Sequence, residues 1–312
     1  MNSIKVSVII PVYGVEKYIE RCARSLFEQT MKEGIEYIFV DDCTPDHSMS
    51  ILNDVLQEYP ERVSQVRILK HEQNKGLPQA RKTGIMVAEG QYLAHCDSDD
   101  WPEASMYEKM YKEAIKGNYD IVYCDYFKSS DTNKTWIKQQ NNQRLMTGPV
   151  WNKIVKNSIC KDNYIIYPTA NKAEDGALMI QYSYYANSRG YINEPLYNYY
   201  CNENSMTRIM TEDVIVNKLC QEVENTDLRI RFLNYHNAEK QFEGEIARWK
   251  YKCRWNLLPL ISKKNYYKMW RNTYPELDKH YYICKFSSNK SILFYLFVRF
   301  RLYGFFYSSK VI

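Results

Sequence analysis

Three carboxylates stand close together in the stretch LAHCDSDDW, residues 93–101: Asp97, Asp99 and Asp100. Two ionised carboxylates about 4 Å apart repel each other by roughly 1 kcal/mol in water and by about 4 kcal/mol at an effective dielectric near 20. Such a cluster in a cleft is unfavourable unless a cation lies among the acids. Oxygen ligands, without Cys or His at ligand spacing, suit Mg²⁺ or Mn²⁺ and leave positions open for a substrate diphosphate. One Asp could cap a following helix, but three are more than a cap requires.

Alternating strand and helix patterns put this cluster at the end of a strand. Apolar, β-branched runs predict strands at residues 6–13, 36–42, 66–71, 91–97 and 119–127. Apolar residues at helical spacing predict helices at 16–29, at 47–59 with Asp46 as cap, at 77–88 ended by Gly90, and from Pro102 onward. This order predicts an α/β fold with a mostly parallel sheet flanked by helices.

Polar residues collect where the predicted strands end. Tyr13 follows the first strand, Asp41 and Asp42 close the second, and Asn74 and Gly76 follow the third. In open α/β sheets, ligands bind outside the carboxyl ends of the strands. The arrangement therefore predicts one ligand site shared with the acids at the end of the fourth strand, although polar surface loops alone would give a similar pattern.

Five stretches, in their order and spacing, resemble family 2 of the inverting glycosyltransferases, of the bacterial surface-polysaccharide type. They span about residues 5–207 and read VSVIIPVYGVEKYIERCARSLFEQT, EYIFVDDCTPDHS, NKGLPQARKTGIMVAEGQYLAHCDSDDW, WNKIV and AEDGALM. The resemblance implies a GT-A fold, which is a Rossmann-like nucleotide-sugar-binding sheet. We expect this domain to cover residues 1–210 and a helical region to cover residues 211–312.

The resemblance implies a nucleotide-sugar site. The residues that would line it are Pro11, Val12, Tyr13, Asp41, Asp42, Asn74, Gly76, Arg81, Asp97 and Ser98. Tyr13 would lie against the base, and Asp42 would accept a hydrogen bond from the uracil ring, which favours a UDP-sugar donor. Each role has a rival interpretation: Tyr13 as packing at the edge of the core, Asp42 as the cap of a turn, and Arg81 as a surface residue of a helix.

The resemblance also implies the reacting groups. Asp97 and Asp99 would form the DxD element, with Asp99 as the first choice of metal ligand and Asp97 and Asp100 as alternates. Asp175 in AEDG would be the catalytic base, supported by Glu174. A cation at the leaving diphosphate and one carboxylate base are sufficient for a single displacement with inversion.

Acceptor-side residues are implied less directly. They are Trp101, Trp151, Asn152 and Lys153. The last three would position a helix that lines the acceptor side, and packing of these side chains in the core is an equal alternative. His95 shares a strand face with Asp97 and is predicted to be a packed histidine rather than a ligand.

The chain departs from the family pattern in three places. Gly14 stands where Asn is usual, and DDCTPD replaces the commoner DGST run, so the loop after the second strand is expected to differ in shape. The segment at 198–207 lacks its usual Arg, near which Tyr200 and Asn202 stand. If that Arg holds the diphosphate, another cation must substitute. Ser205 and Thr207 remain as candidate site residues.

Charge divides the chain unevenly. Residues 246–312 contain 14 Lys and Arg against two acids, a net charge of +12, which leaves −7 for residues 1–245 of the chain's +5. The same tail contains 18 Phe, Trp and Tyr residues, and its unbroken apolar run at 292–298 is seven residues long, whereas a spanning helix needs about 20. These features predict attachment to an anionic membrane surface. The rival interpretation is a packed helical layer whose Lys and Arg face solvent.

Composition narrows the remaining classes. The N-terminal apolar run is too short for a signal peptide, and the nine Cys have no zinc spacing, so we expect a cytoplasmic protein, peripheral on the inner face of the plasma membrane, with reduced Cys. No nucleic-acid-binding motif accompanies the basic tail. The predicted reaction moves a sugar from a nucleotide-diphosphate sugar to a hydroxyl of a glycan or lipid-linked glycan.

The same sequence features leave two alternative functions open. A nucleotidyltransferase would need a Gly-rich phosphate loop after the first strand, where this chain has PVYGVEKY. A non-catalytic nucleotide-sugar-binding scaffold would be expected to lose the DxD or the base. A dinucleotide oxidoreductase is disfavoured because no GxGxxG follows the first strand.

Overall fold

A computed structural model describes residues 3–139, 148–201 and 211–278, together with residues 296, 299 and 300. The chain divides into two compact units, Met1–Ser205 and Met206–Ile312. The candidate residues Asn202, Ser205 and Thr207 lie outside the described residues.

The first unit is built on one mixed sheet. Its strands within the described residues are β1 (Val6–Val12), β2 (Ile35–Asp41), β3 (Val66–Lys70), β4 (Tyr92–His95), β5 (Trp101–Pro102), β6 (Ile121–Ser129), β7 (Lys134–Ile137), β8 (Lys153–Lys156) and β9 (Arg189–Tyr200). They lie in the order β3-β2-β1-β4-β8-β6-β9-β5, and β7 pairs with β6. The first four strands pair in parallel, whereas β8 runs antiparallel between β4 and β6. The α/β prediction is confirmed, with a sheet that is parallel in its first half and mixed beyond β4.

Helices cover both faces of this sheet. Those of the first unit are α1 (Ile19–Phe27), α2 (Ser48–Gln57), α3 (Leu77–Val87), α4 (Met106–Gly117), α5 (Asn157–Lys161) and α6 (Glu174–Tyr185). Successive residues of a strand point to opposite faces. Val8 and Ile10 of β1 accordingly belong to the same core cluster as Leu26 of α1, while Ile9 lies in another cluster with Ala80 of α3. A central strand buried on both faces needs the continuous apolar run seen in the sequence.

Two local predictions were wrong. Pro102 does not open a helix, because it pairs with Tyr197 in β5 and α4 begins only at Met106. Gly90 does not end α3, which stops at Val87. Gly90 instead allows a close approach, since a Cβ there would lie 2.6 Å from the backbone nitrogen of Ser7. The WNKIV stretch leads into strand β8, whose Lys153–Lys156 segment pairs with β4 and β6, and helix α5 follows directly at Asn157.

The second unit is helical where it is described. Its helices there are α7 (Glu212–Tyr235), α8 (Glu243–Trp255) and α9 (Lys264–Asn272). Leu219, Leu257 and Trp270 share its buried core. The described helices include none long and apolar enough to cross a membrane. Most of the aromatic run at 291–307 lies outside the described residues.

Candidate active site

The loop after β1 begins the site. Pro11 and Val12 are buried in the strand, and Tyr13 immediately beyond them is 45% exposed. β4 pairs with β1 only as far as Ile9. Pro11 lies beyond this pairing, so its lack of an N–H removes no hydrogen bond between β1 and β4. Gly14 has φ +68°. Gly and Asn both tolerate this left-handed region, so the exchange of the usual Asn for Gly keeps the backbone conformation available.

The loop after β2 retains its tie to the β1 loop despite its unusual sequence. Thr44 accepts a hydrogen bond from the Gly14 amide at 2.8 Å and donates to Asp46 at 2.7 Å. Asp41 accepts from the Thr44 amide at 2.8 Å. Cys43, which stands where the commoner DGST run has Gly, has φ +57°. The loop therefore contains a non-glycine residue in a conformation that favours glycine.

Asp42 holds the loop that follows β3. Its two carboxylate oxygens accept from the amides of Lys75 and Gly76, each at 2.8 Å, and His71 Nδ1 lies 2.6 Å from one of them. Asn74 is exposed on this loop and accepts from the Gly76 amide at 3.1 Å. Asp42 is thus a buried anchor of the loop where nucleotide contact is predicted. His71 was missed from the sequence, although its place at a strand end is the same signal that identified Asn74.

Gly76 is required by the backbone at the start of α3. It has φ +87°, and a Cβ there would lie 2.7 Å from Oδ1 of Asn171. The same Asn171 oxygen accepts from the Leu77 amide at 3.1 Å. This contact joins the start of α3 to the segment that leads into α6.

Arg81 of α3 joins the predicted DxD to the predicted base. Its side chain is 1% exposed, so it is not the surface residue that the rival interpretation required. Its Nη2 donates to Asp97 at 2.6 Å, and its Nη1 donates to Glu174 at 2.6 Å and to Asp175 at 2.5 Å. Burial lowers the pKa of Arg81, but the three carboxylates, led by Asp175, raise it well above its ordinary value. One permanent cation therefore gathers acids from two distant parts of the chain.

Burial raises the pKa values of two of the carboxyls around this guanidinium. Burial, and then the neighbouring Asp175, raise the pKa of Glu174 to about 8 although Arg81 acts in the opposite direction. Burial also raises the pKa of Asp97, and Arg81 offsets only part of that effect. Glu174 therefore retains a proton near neutral pH.

The three acids of the DSDD stretch have different surroundings. Asp97 is bonded to Arg81, whereas both oxygens of Asp100 are taken by Tyr197 Oη at 2.9 Å and by the Tyr200 amide at 2.7 Å. Asp99 has no ion pair and no side-chain hydrogen bond to another residue in the described part of the chain. Within those same residues, no group of three His, Cys, Asp or Glu side chains is arranged to hold a metal ion. In the part of the chain that the structure describes, Asp97 and Asp100 thus have protein partners, whereas the Asp99 side chain has none from another residue.

Tyr200 contacts a cation from elsewhere in the chain. The Arg21 guanidinium of α1 lies 4.5 Å from the Tyr200 ring centre and 3.8 Å from that of Trp101. Its Nη2 donates to the main-chain oxygen of Asp99 at 2.9 Å. Sequence reasoning missed Arg21, because nothing in a helical pattern links it to an acid 78 positions away.

The predicted acceptor-side residues of β8 and its approach are mostly buried. The Trp151 ring stacks on Tyr197 with centres 4.6 Å apart, and Asn152 donates to the Cys124 carbonyl at 2.7 Å. Lys153 donates to Asn152 Oδ1 at 2.7 Å. Burial lowers the pKa of Lys153 to about 8, against the influence of Asp175. These contacts favour the packing alternative for Trp151 and Asn152.

Two further predicted residues lie beside the site. His95 is buried at the end of β4, and burial, with Arg81 as the second cause, lowers its pKa to about 3. It is therefore a neutral packed side chain, and among the described residues its ring nitrogens have no hydrogen-bond partner. Ser98 is buried between Asp97 and Asp99.

Comparison with known families decides what this arrangement belongs to. The model of "Glycosyl transferase family 2" matches residues 7–184, which include every acid described above. The chain belongs to glycosyl transferase family 2. It is accordingly a glycosyltransferase, as the resemblance implied.

Individual relatives agree with this assignment. The chain is 29% identical over 276 residues to the uncharacterized glycosyltransferase EpsJ of Bacillus subtilis. This alignment covers 82% of the chain and 77% of EpsJ. It is similar to a crystal structure of Staphylococcus aureus TarS 1–349 in complex with UDP-GlcNAc, with a TM-score of 0.59, 21% identity, and coverage of 81% of this chain and 80% of that one. It is also similar to the mannosyltransferase PcManGT from Pyrobaculum calidifontis in complex with GDP-Man and Mn²⁺, with a TM-score of 0.57, 13% identity, and coverage of 89% and 81%. The structural likenesses confirm the GT-A fold.

Proposed function

We propose that this chain is a metal-dependent inverting glycosyltransferase that moves a sugar from a UDP-sugar to a hydroxyl of a glycan or lipid-linked glycan. The observation that carries the proposal is the position of Arg81, whose guanidinium contacts Asp97 of the DSDD stretch and both acids of AEDG. A nucleotide-sugar transferase needs the residues that bind the leaving diphosphate and the catalytic base to lie within one substrate length of each other. The Arg81 contacts hold those two acidic segments together.

The donor would lie along the carboxyl ends of β1 to β4. Tyr13 offers an exposed ring for a base, and the loop anchored by Asp42 offers the exposed Asn74. UDP is favoured because the TarS neighbour is complexed with UDP-GlcNAc, while GDP-Man in the PcManGT complex is the alternative. Asp42 can accept from a uracil ring only by sharing an oxygen that already accepts from the loop amides.

Asp175 would be the catalytic base. It lies in the first turn of α6, partly exposed, with one oxygen on Arg81 and the other available to an acceptor hydroxyl. A positioned carboxylate can take the hydroxyl proton as that oxygen attacks the sugar. The sugar's bond to the diphosphate breaks in the same displacement, and the configuration inverts. Glu174 would retain its proton and leave Asp175 as the acceptor of the proton.

A divalent cation, Mn²⁺ or Mg²⁺, fits the residues at the DSDD stretch. Asp99 would be its ligand, and Asp97 could contribute the oxygen that is not bonded to Arg81. Burial, and then the neighbouring Asp97, raise the pKa of Asp99 to about 6. When bound, such a cation stabilises the charge that develops on the leaving diphosphate. Asp100 contributes less, because both its oxygens hold β9 in place.

The acceptor class follows from relatives and charge. Staphylococcus aureus TarS, which is 27% identical over 269 residues, is a poly(ribitol-phosphate) beta-N-acetylglucosaminyltransferase. We therefore place this chain in bacterial cell-surface polysaccharide biosynthesis. The net charge of +12 over residues 246–312 supports a peripheral position on the anionic inner face of the plasma membrane.

A donor screen tests the proposal. Purified full-length chain is incubated with UDP-glucose, UDP-galactose, UDP-GlcNAc and GDP-mannose in Mn²⁺ or in excess EDTA, and release of the nucleoside diphosphate is measured. We expect hydrolysis of a UDP-sugar with Mn²⁺ and none in EDTA or with Asp99→Ala. Full activity in EDTA would refute the metal, and activity with GDP-mannose alone would refute the donor. Donor binding without any turnover would favour the non-catalytic scaffold.

A further inference from the structure

Arg21 is the second cation at the acidic loop, and it is held on several sides. Its guanidinium packs against the rings of Trp101 and Tyr200, at 3.8 Å and 4.5 Å from their centres, and the two rings are tilted 48° to each other. Its Nη2 donates to the main-chain oxygen of Asp99 at 2.9 Å, and its Nε is buried without a hydrogen-bond partner among the described residues. We call the wedge between these two rings the slot, and a planar guanidinium can stack on its walls where an ammonium group would not.

Arg21 contacts the backbone of Asp99, the acid of the DSDD stretch whose carboxylate has no bond to another residue in the described part of the chain. Asp97 is fixed by Arg81, and Asp100 is fixed by β9. The Asp99 carboxylate has no comparable contact in the described part of the chain, so the path of its own backbone determines where it points. Arg21 holds that backbone directly through the Asp99 carbonyl.

The slot also couples the loop to the end of β9. Tyr200 forms one wall of the slot, and its amide donates to Asp100 at 2.7 Å. Trp101 forms the other wall and pairs with Asn198 of β9. Displacing Arg21 would therefore loosen the loop between Trp101 of β5 and Tyr200, the last residue of β9.

We propose that Arg21 is a positioning residue for Asp99, which it holds in the direction required to bind the divalent cation. The inference rests on the proposed function, because that function makes Asp99 the metal ligand. Groups that orient a metal ligand typically change metal affinity by 10- to 100-fold when they are removed. Arg21 acts through the main chain, so its loss should weaken cation binding without a matching loss of nucleotide binding.

Direct metal binding tests this role without relying on activity. Free Mn²⁺ is measured by electron paramagnetic resonance during titration of the full chain in saturating UDP, and UDP affinity is measured separately in EDTA. We expect Arg21→Gln to weaken Mn²⁺ binding by about 10- to 100-fold and to leave UDP affinity in EDTA unchanged. Arg21→Lys should fall between Arg21→Gln and the natural chain. The matched control is Arg24→Gln, which removes from the same helix a guanidinium whose ion pairs, among the described residues, are with Glu20 and Glu58 on the surface.

The variants separate the possible failures. If Asp99→Ala binds Mn²⁺ as the natural chain does, the proposed metal site fails and the role of Arg21 fails with it. If Asp99→Ala loses Mn²⁺ and Arg21→Gln does not, the positioning role alone is overturned. An equal loss of UDP affinity in EDTA would also overturn it, since Arg21 would then contact the nucleotide itself. If Arg21→Gln does not fold, Tyr200→Leu removes one wall of the slot, and unchanged Mn²⁺ affinity in that variant overturns the proposal.

Discussion

The guanidinium of Arg81 lies 2.5 Å from a carboxylate oxygen of Asp175, although the two residues are 94 positions apart in the chain. The same side chain is buried and also bonds Asp97 and Glu174. Three acids, of which Glu174 is buried and Asp97 and Asp175 are partly exposed, therefore share this buried cation. Its removal would leave their charge buried and uncompensated, which is far more costly than the loss of a surface ion pair.

We expect Arg81→Gln to destabilise the fold by about 3–5 kcal/mol, the usual scale for breaking a buried ion pair. Urea unfolding followed by circular dichroism measures the change. Arg24→Gln is the control and should change stability far less, because exposed ion pairs contribute little. Equal stability of the two variants would show that Arg81 does not hold these acids in solution.

Asp175→Asn tests the base while keeping the size of the side chain. The amide cannot take a proton from the acceptor, so turnover should fall by about 10² or more. Donor binding should stay near normal, because Asp97 and Glu174 still hold Arg81. Transfer kinetics and UDP titration separate these effects, with Asp54→Asn, an exposed change on α2, as the control. Near-normal turnover in Asp175→Asn would remove Asp175 from the mechanism.

Glu174 should make stability fall as pH rises. Its folded-state pKa of about 8 lies above the ordinary value of 4.5, so the folded state binds more protons than the unfolded state between these values. Its contribution to stability is complete below about pH 4.5 and is lost as pH rises through 8. Urea unfolding in EDTA at pH 6 and pH 8.5 should show a larger loss in the natural chain than in Glu174→Gln. Glu72→Gln, an exposed change, is the control and should lose as much stability between the two pH values as the natural chain does. If Glu174→Gln also loses as much stability as the natural chain, Glu174 is already ionised at pH 6.

The sequence predicts the strands of this sheet better than the contacts of its site. Continuous apolar runs mark β1 and β2 because both are buried on two faces, and parallel pairing then fixes which loops meet. Pro102 misled because a Pro suits a helix start as well as an edge strand, and pairing with β9 decides between them. The partners of Arg81 and Arg21 depend on long-range packing, for which neither residue type nor spacing gives a signal. The surroundings of Asp99 and Asp100 likewise differ only because β9 returns beside one of them.

Cys43 offers a test of the loop after β2. A non-glycine residue in the left-handed region costs about 1–2 kcal/mol, whereas glycine adopts it without a steric cost but loses more chain entropy. With φ +57° at this position, Cys43→Gly should raise the free energy of unfolding by roughly 0.5–1 kcal/mol. Cys43→Ala removes the thiol and keeps the strain, so it should give no such gain. A loss of stability in Cys43→Gly would indicate that Cys43 contacts outweigh the strain.

The basic C-terminal region is predicted to bind anionic membranes, and its described part indicates how. Trp249, Tyr267 and Trp270 are buried within the second unit, so these aromatics are not available to a bilayer. The exposed cations Lys264 and Lys268 lie on one face of α9, four residues apart. Membrane attraction by this segment should therefore be mainly electrostatic and should weaken with salt.

Arg299 donates to the Asp278 carbonyl at 2.9 Å, and its own carbonyl accepts from Tyr267 at 2.9 Å. Truncation before Arg299 would remove these structural contacts, so charge reversal is the cleaner test. Near an anionic leaflet each Lys contributes on the order of 1 kcal/mol, so Lys264→Glu with Lys268→Glu should weaken binding at least 30-fold, roughly the loss of both contributions. Co-sedimentation with phosphatidylglycerol-containing vesicles at low salt measures this. Reversal of Lys112 and Lys116, exposed on α4 with similar spacing, is the control and should have little effect. If the natural chain stays in the supernatant, the membrane prediction is wrong. If both double variants lose binding equally, the net charge of the protein determines attachment rather than its C-terminal region.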